Sequence, residues 1–116
     1  GPEDSLQKSC VEWFRWNYPK RLLWSTPNGG HRHPLTAIKM KLTGQLAGVP
    51  DLFMPEPCGE FMGMFVELKA GKKKPELHQQ EILDKLKMRG YYAIVCYSFD
   101  EFVLNVKNYF EGNHAD

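Results

Sequence analysis

Two short apolar runs, residues 49–54 and 62–68, carry charge where a buried strand ordinarily has none. Proline or glycine bounds each run, and each has the length of one strand. Together they read as neighbouring strands joined by the polar, proline-rich connection 55–59. Asp51 stands near the start of the first. Glu67 and Lys69 lie two positions apart at the end of the second, and the two-residue period of a strand turns both to one face. Burying such charges without partners costs several kcal/mol each. Any fold that makes these strands must bring the three charges to each other or to a ligand.

The remaining chain reads as helices around these strands. Residues 4–17 place Leu6, Cys10, Val11 and Phe14, then Trp13 and Trp16, at a period near 3.6. Asp4 or Ser5 can cap this helix, and Tyr18-Pro19 ends it. Residues 22–25 form a short strand candidate and 26–30 a glycine-rich turn. Residues 35–43, before Gly44, suit a short basic helix bearing Lys39 and Lys41. A basic loop at 70–75 precedes a helix over 76–89, with Leu77, Ile82, Leu83 and Leu86 towards the core and Gly90 as its stop. Residues 91–98, the most apolar stretch, read as a central strand. Residues 99–110 form a closing helix with Asp100 near its start. The order predicts an α/β (α+β) fold, a mixed sheet flanked by helices.

At 116 residues, with 42% hydrophobic and 25% charged side chains, the chain suits one soluble globular domain rather than a disordered or fibrous protein. Gly1-Pro2 reads as a tag remnant, which leaves 3–112 as that domain. No run suits a membrane span or a secretion signal. Cys10, Cys58 and Cys96 make neither a disulfide framework nor a CxxC pair, and they read as reduced thiols of a cytoplasmic protein. Residues 1–50 hold seven basic and three acidic side chains, and the remainder eight and eleven. That imbalance hints at phosphate contact in front and cation binding behind.

A divalent cation answers the charge problem. Two carboxylates and the main-chain carbonyl of Leu68 offer hard oxygen ligands suited to Mg²⁺ or Mn²⁺, and Lys69 can polarise a water or sit beside a developing oxyanion. Glu67-Leu68-Lys69 alone also fits an ion pair on an exposed strand edge. Pro50-Asp51, sixteen residues before Glu67, and a glutamine-bearing helix downstream turn the balance towards a site. His31-x-His33 suggests zinc, but no second ligand pair follows at finger-like spacing. Trp13, Trp16 and Trp24 can stack on bases, although tryptophans at helical spacing more often belong to a core.

Pro50-Asp51 with Glu67-Leu68-Lys69 resembles the PD-(D/E)xK nuclease signature. Leu6-Gln7, Tyr18-Pro19, Pro27-Asn28-Gly29-Gly30, Gly48-Val49-Pro50-Asp51-Leu52, Phe65-Val66, Gln79 and Gly90-Tyr91 extend the resemblance to the VRR-Nuc subfamily, in order along nearly the whole chain. The size is similar to that of the short stand-alone phage and bacterial members. The resemblance implies a restriction-endonuclease-like core and a Mg²⁺- or Mn²⁺-dependent endodeoxyribonuclease. It implies metal ligation by Asp51 and Glu67, water activation by Lys69 and a supporting role for Gln79. It also implies a further acid on the first helix, Glu3 or, in competition, Glu12. Asn28, His31, Arg32, Lys39, Lys41, Lys72, Lys73 and Lys74 become expected DNA contacts. The small members look like four-way-junction (Holliday-junction) resolvases acting as homodimers. A catalytically silent DNA-binding module and a sequence-reading restriction-type nuclease are the alternatives.

Overall fold

In a computed structural model, which describes residues 1–27 and 33–114, eight elements follow one another. They are α1 (Pro2–Asn17), β1 (Trp24–Ser25), α2 (Pro34–Leu42), β2 (Leu52–Met54), β3 (Met64–Leu68), α3 (Leu77–Met88), β4 (Tyr92–Cys96) and α4 (Phe99–Glu111). The strands form one sheet in the order β1-β2-β3-β4. β1–β2 and β2–β3 are antiparallel and β3–β4 is parallel. The sheet is therefore mixed, and α3 supplies the crossover that a parallel pair requires.

Strand alternation sorts the side chains onto two faces. Leu52 and Met54 of β2 and Met64, Val66 and Leu68 of β3 pack with Cys10 and Phe14 of α1 and with Phe102, Val106 and Tyr109 of α4. The Tyr109 hydroxyl is satisfied inside this core, donating to the Glu56 carbonyl at 2.7 Å. On the opposite face an aromatic ladder crosses three strands. Ring centroids lie 5.3 Å apart for Trp24–Phe53, 4.2 Å for Phe53–Phe65 and 5.1 Å for Phe65–Tyr91. α3 packs beside it on β4 and buries Leu83. No helix among the described residues is long and apolar enough to cross a membrane. All three cysteines are free, Cys10 and Cys96 in the core.

Several expectations need correction. α1 starts at Pro2, before Asp4 or Ser5, because proline is tolerated in a helix's first turn; Asp4 instead pairs with the Gly1 ammonium at 3.2 Å. β1 is only two residues long. β2 begins at Leu52 rather than at 49, since Pro50 has no N–H for a ladder. Leu77 opens α3 and is 76% exposed, while Ile82 and Leu86 are half-buried. Trp16 is exposed, Trp24 is 46% exposed and packs only on the outer ladder against Phe53, and Trp13 packs against the core, edge-to-face on Tyr18, Phe99 and Phe102. The largest correction concerns β4. It is an edge strand, not a central one. Its apolar character reflects helices packing on it, from α3 and α4, rather than strands on both sides.

Candidate active site

The site arises where β2 stops short of β3. Leu52 pairs with Val66, so one further step of the antiparallel register sets Asp51 opposite Glu67. Directly opposed carboxylates repel. Leu68 turns its N–H to the side where β2 has already ended, and Asp51 Oδ2 accepts it at 2.7 Å. A strand residue points its N–H and C=O to the same side, so the Leu68 carbonyl also turns to this end. One side chain thus replaces a missing strand residue, and its carboxylate is fixed by that role.

Glu67 is 3% exposed, and its Oε2 is buried with no hydrogen-bond partner among the described residues. Burial first, and the nearby Asp51 carboxylate second, raise its pKa from 4.5 to about 8. A hydrogen bond between the two carboxyl groups adds to the rise, as does the charge of Glu3, while Lys69 acts in the opposite direction. Lys69 is itself 9% exposed and makes no ion pair within 4 Å among the described residues. Glu3 ties the start of α1 to the end of β3, its Oε1 accepting the Ala70 N–H at 3.2 Å. Glu12 is remote from these groups in its contacts: it is exposed and pairs with Lys8 at 3.9 Å.

A cavity of about 330 Å³ gathers Glu3, Asp51, Glu67, Lys69 and Gln79 on its walls. Gln79 reaches it from the first turn of α3, where its Oε1 accepts the Glu76 N–H at 2.9 Å and completes a capping box. That bond leaves the amide NH₂ to donate. Gln80 is spent elsewhere, its amide donating to Asp84 at 2.9 Å.

Of the expected DNA contacts, Lys41 lines the cavity and Lys39 does not. Lys72, Lys73 and Lys74 are exposed on the β3–α3 loop, away from the cavity wall. Asn28, His31 and Arg32 lie outside the described residues. For the zinc reading, His31 lies outside the described residues as well, and His33 Nδ1 accepts the Leu35 N–H at 3.2 Å and caps α2.

Two wall residues, Gln45 and His78, were not expected. The available signal was Gly48. Its φ of +87° suits glycine, and a Cβ there would stand 2.9 Å from the His78 ring and 3.0 Å from its carbonyl oxygen. The chain before Asp51 is pressed against the start of α3.

These groups suit a divalent cation. The unpartnered Glu67 oxygen, the Asp51 carboxylate and the Leu68 carbonyl are hard oxygen donors. Among the described residues, no group of three or more His, Cys, Asp and Glu side chains closes on one point. Two carboxylates with open positions match the way Mg²⁺ is commonly held, by one or two carboxylates and substrate phosphate.

Comparison with known proteins agrees with this geometry. One solved structure, titled as a VRR_NUC domain protein, superposes with a TM-score of 0.77 at 24% identity, covering 94% of this chain and 88% of its own. A second, titled as a VRR_NUC domain, gives 0.63 at 25% identity, covering 92% and 96%. No curated protein matches the sequence. The family model described as the VRR-NUC domain matches residues 1–100. The chain belongs to the VRR-NUC family, nuclease-type domains of the PD-(D/E)xK superfamily.

Proposed function

We propose that this protein is a divalent-metal-dependent endodeoxyribonuclease that cuts branched DNA, four-way junctions among them, as a homodimer. One observation carries the reading. Asp51 and Glu67 face each other at the end of the sheet, one Glu67 oxygen unsatisfied, with the Lys69 ammonium on the same cavity wall. Two carboxyl groups set beside each other, one of them desolvated, form a poor structural pair and a good cation site.

Asp51, Glu67 and the Leu68 carbonyl would hold Mg²⁺ or Mn²⁺, with Glu3 at the margin. When bound, the ion supplies positive charge against the charge that builds on the phosphodiester oxygens, and it acidifies water. The chain's own residues do the rest. Lys69 orients the attacking water, or donates to a phosphate oxygen, from a position two residues beyond Glu67. The Gln79 amide donates to water or phosphate from the first turn of α3. Lys41 offers the backbone a cation at the cavity's rim, a contact that positions without reading sequence.

Branched DNA and two copies follow from symmetry and size. A four-way junction needs two cuts on related strands, and a two-fold dimer presents two equivalent sites. The test is cleavage of matched linear, flapped and four-way DNAs with Mg²⁺, Mn²⁺ or chelator. Cuts that follow the branch point, need metal and vanish in Glu67→Ala support the proposal. Fixed positions on linear duplex indicate a sequence reader instead, and binding without any product indicates a silent module. Full Mn²⁺-dependent activity in Glu67→Ala refutes the site.

A further inference from the structure

Hydrolysis of a phosphodiester needs help at both ends of the reaction. Attack by water forms one bond to phosphorus while the bond to a bridging sugar oxygen breaks, roughly in line. The departing oxygen takes the electron pair of that bond and is strongly basic until it gains a proton. Lys69 serves the attacking end. Asp51 and Glu67 must be deprotonated to hold a cation, so neither has a proton to give once it does.

The other polar side chains on the cavity wall are Glu3, Lys41, Gln45, His78 and Gln79. Glu3 accepts the Ala70 N–H at 3.2 Å. The Gln45 amide donates to the Pro27 carbonyl at 3.1 Å, and an amide releases no proton near neutral pH. A lysine ammonium ordinarily keeps its proton far above neutrality. Imidazole is the side chain that ordinarily titrates nearest neutral pH, and a proton donor works best when its pKa lies near the working pH. On this wall that chemistry belongs to His78.

The position of His78 fits the same task. It stands in the first turn of α3, beside Gln79. Glu76 Oε2 lies 3.5 Å from its Nδ1. The Gly48 backbone packs against its Cδ2 edge, where an added Cβ would stand only 2.9 Å away. The ring is thus held by a carboxylate at one nitrogen, while Nε2 has no hydrogen-bond partner among the described residues. A carboxylate that orients one ring nitrogen leaves the other to act on a reacting atom. Lys69 follows β3 and His78 belongs to α3, so attack and departure are served from separate elements.

We infer that His78 is the general acid of this site, its Nε2 giving a proton to the sugar oxygen that leaves phosphorus. The attacking water supplies the new bond to phosphorus and releases its own proton to solvent. The His78 side chain is 51% exposed, so the imidazole recovers a proton from solvent and the cycle closes. This assignment deepens the nuclease reading above and rests on it.

The test compares two four-way DNAs in Mn²⁺. One carries an ordinary phosphodiester at the cut position. The other carries sulfur in place of the leaving bridging oxygen, which the product ends identify. A thiol ionises near pH 8.5, so a thiolate departs without a proton donor. His78→Gln and His78→Ala are expected to cut the ordinary DNA ~10²-fold more slowly than the wild type, and the sulfur DNA at close to the wild-type rate. Thermal melting, and binding of four-way DNA in chelator read by fluorescence anisotropy, should not change. An equal deficit on both DNAs, no deficit on either, or a loss of binding as large as the loss of rate overturns the inference while leaving the nuclease reading in place. A wild type that cuts neither DNA overturns the nuclease reading, and this assignment with it.

Discussion

Replacing Glu67 by glutamine should make the metal-free protein more stable while abolishing cleavage. The Glu67 carboxyl is 3% exposed, and its pKa is raised from 4.5 to about 8. Below pH 4.5 this group is protonated in both the folded and the unfolded chain, and ionisation costs nothing. Above it the unfolded chain releases the proton while the folded one keeps it, so stability falls with rising pH until the folded group ionises near pH 8. At about 1.4 kcal/mol per pH unit, the loss between pH 4.5 and 7 is at most ~3.5 kcal/mol. Water in the cavity reduces this, so roughly 1–3 kcal/mol is expected, or ~4 °C in Tm per kcal/mol for a domain of this size. Glu67→Gln keeps the shape and removes the titration. Urea unfolding in chelator at pH 5 and pH 7.5 reads the difference. The wild type should lose stability between these values and the variant should not. Adding Mn²⁺ at pH 7.5 should stabilise only the wild type, since binding to the folded state alone raises stability by mass action. Parallel pH dependences for the two proteins would show that Glu67 is not held in the strained state described.

Three other substitutions probe the parts that support the site. Gly48→Ala places a Cβ 2.9 Å from the His78 ring at a φ of +87°; a loss of ~2 kcal/mol or more, with weakened cleavage, is expected by thermal melting and assay. Gln79→Ala removes the acceptor for the Glu76 N–H and should cost ~1 kcal/mol, whereas Gln79→Glu keeps the acceptor and the stability. Cleavage lost in both Gln79 variants assigns the amide to the reaction, and cleavage lost only in the alanine variant assigns it to capping. Phe14→Ala empties a fully buried core position and should cost ~3–5 kcal/mol in urea unfolding, with residual activity tracking the folded fraction.

The helices and the central pair of strands were legible because their signals are local. Cys10 and Phe14 recur at helical spacing and both are buried. Proline and glycine bound the two charged runs. The β3 residues Met64, Val66 and Leu68 alternate onto the core, which leaves Glu67 and Lys69 on the other face, as their spacing implied. Strand order was not legible, because β4 is apolar for a reason that lies outside its own sequence, namely the helices packed on it. Leu77 and Trp16 misled in the same way, since periodicity names a face but not where packing against it stops. At the site, Asp51 and Glu67 were nameable as a pair. Their mutual geometry depends on β2 stopping at Leu52 on its β3 side, a consequence of Pro50, while the Thr26 N–H bonds to the Asp51 carbonyl at 2.9 Å and holds Asp51 in line with the strand. Gln45 reaches the cavity from a segment with no catalytic signature, and His78 is the neighbour of Gln79 on α3, where only the glutamine carried a signal.

The candidate site comes from an incompleteness of this small sheet. A strand residue without a neighbour leaves an N–H and a C=O to be satisfied. Beyond the end of β2, the chain satisfies the Leu68 N–H with the Asp51 side chain, and doing so fixes a carboxylate opposite a second carboxylate that is already buried. The electrostatic conflict is therefore a result of completing the hydrogen bonding, and it cannot relax by Asp51 swinging away without orphaning Leu68. This rigidity is what a cation site needs, since ligands held apart from each other before the ion arrives lose little freedom on binding it. Asp51→Asn separates the two roles, because its amide oxygen can still accept from Leu68 while the like charge is gone. The variant should fold, show a Glu67 pKa that is lowered but still raised by burial, and lose cleavage. A variant that unfolds instead would mean that the negative charge, and not the acceptor oxygen, holds the end of the sheet closed.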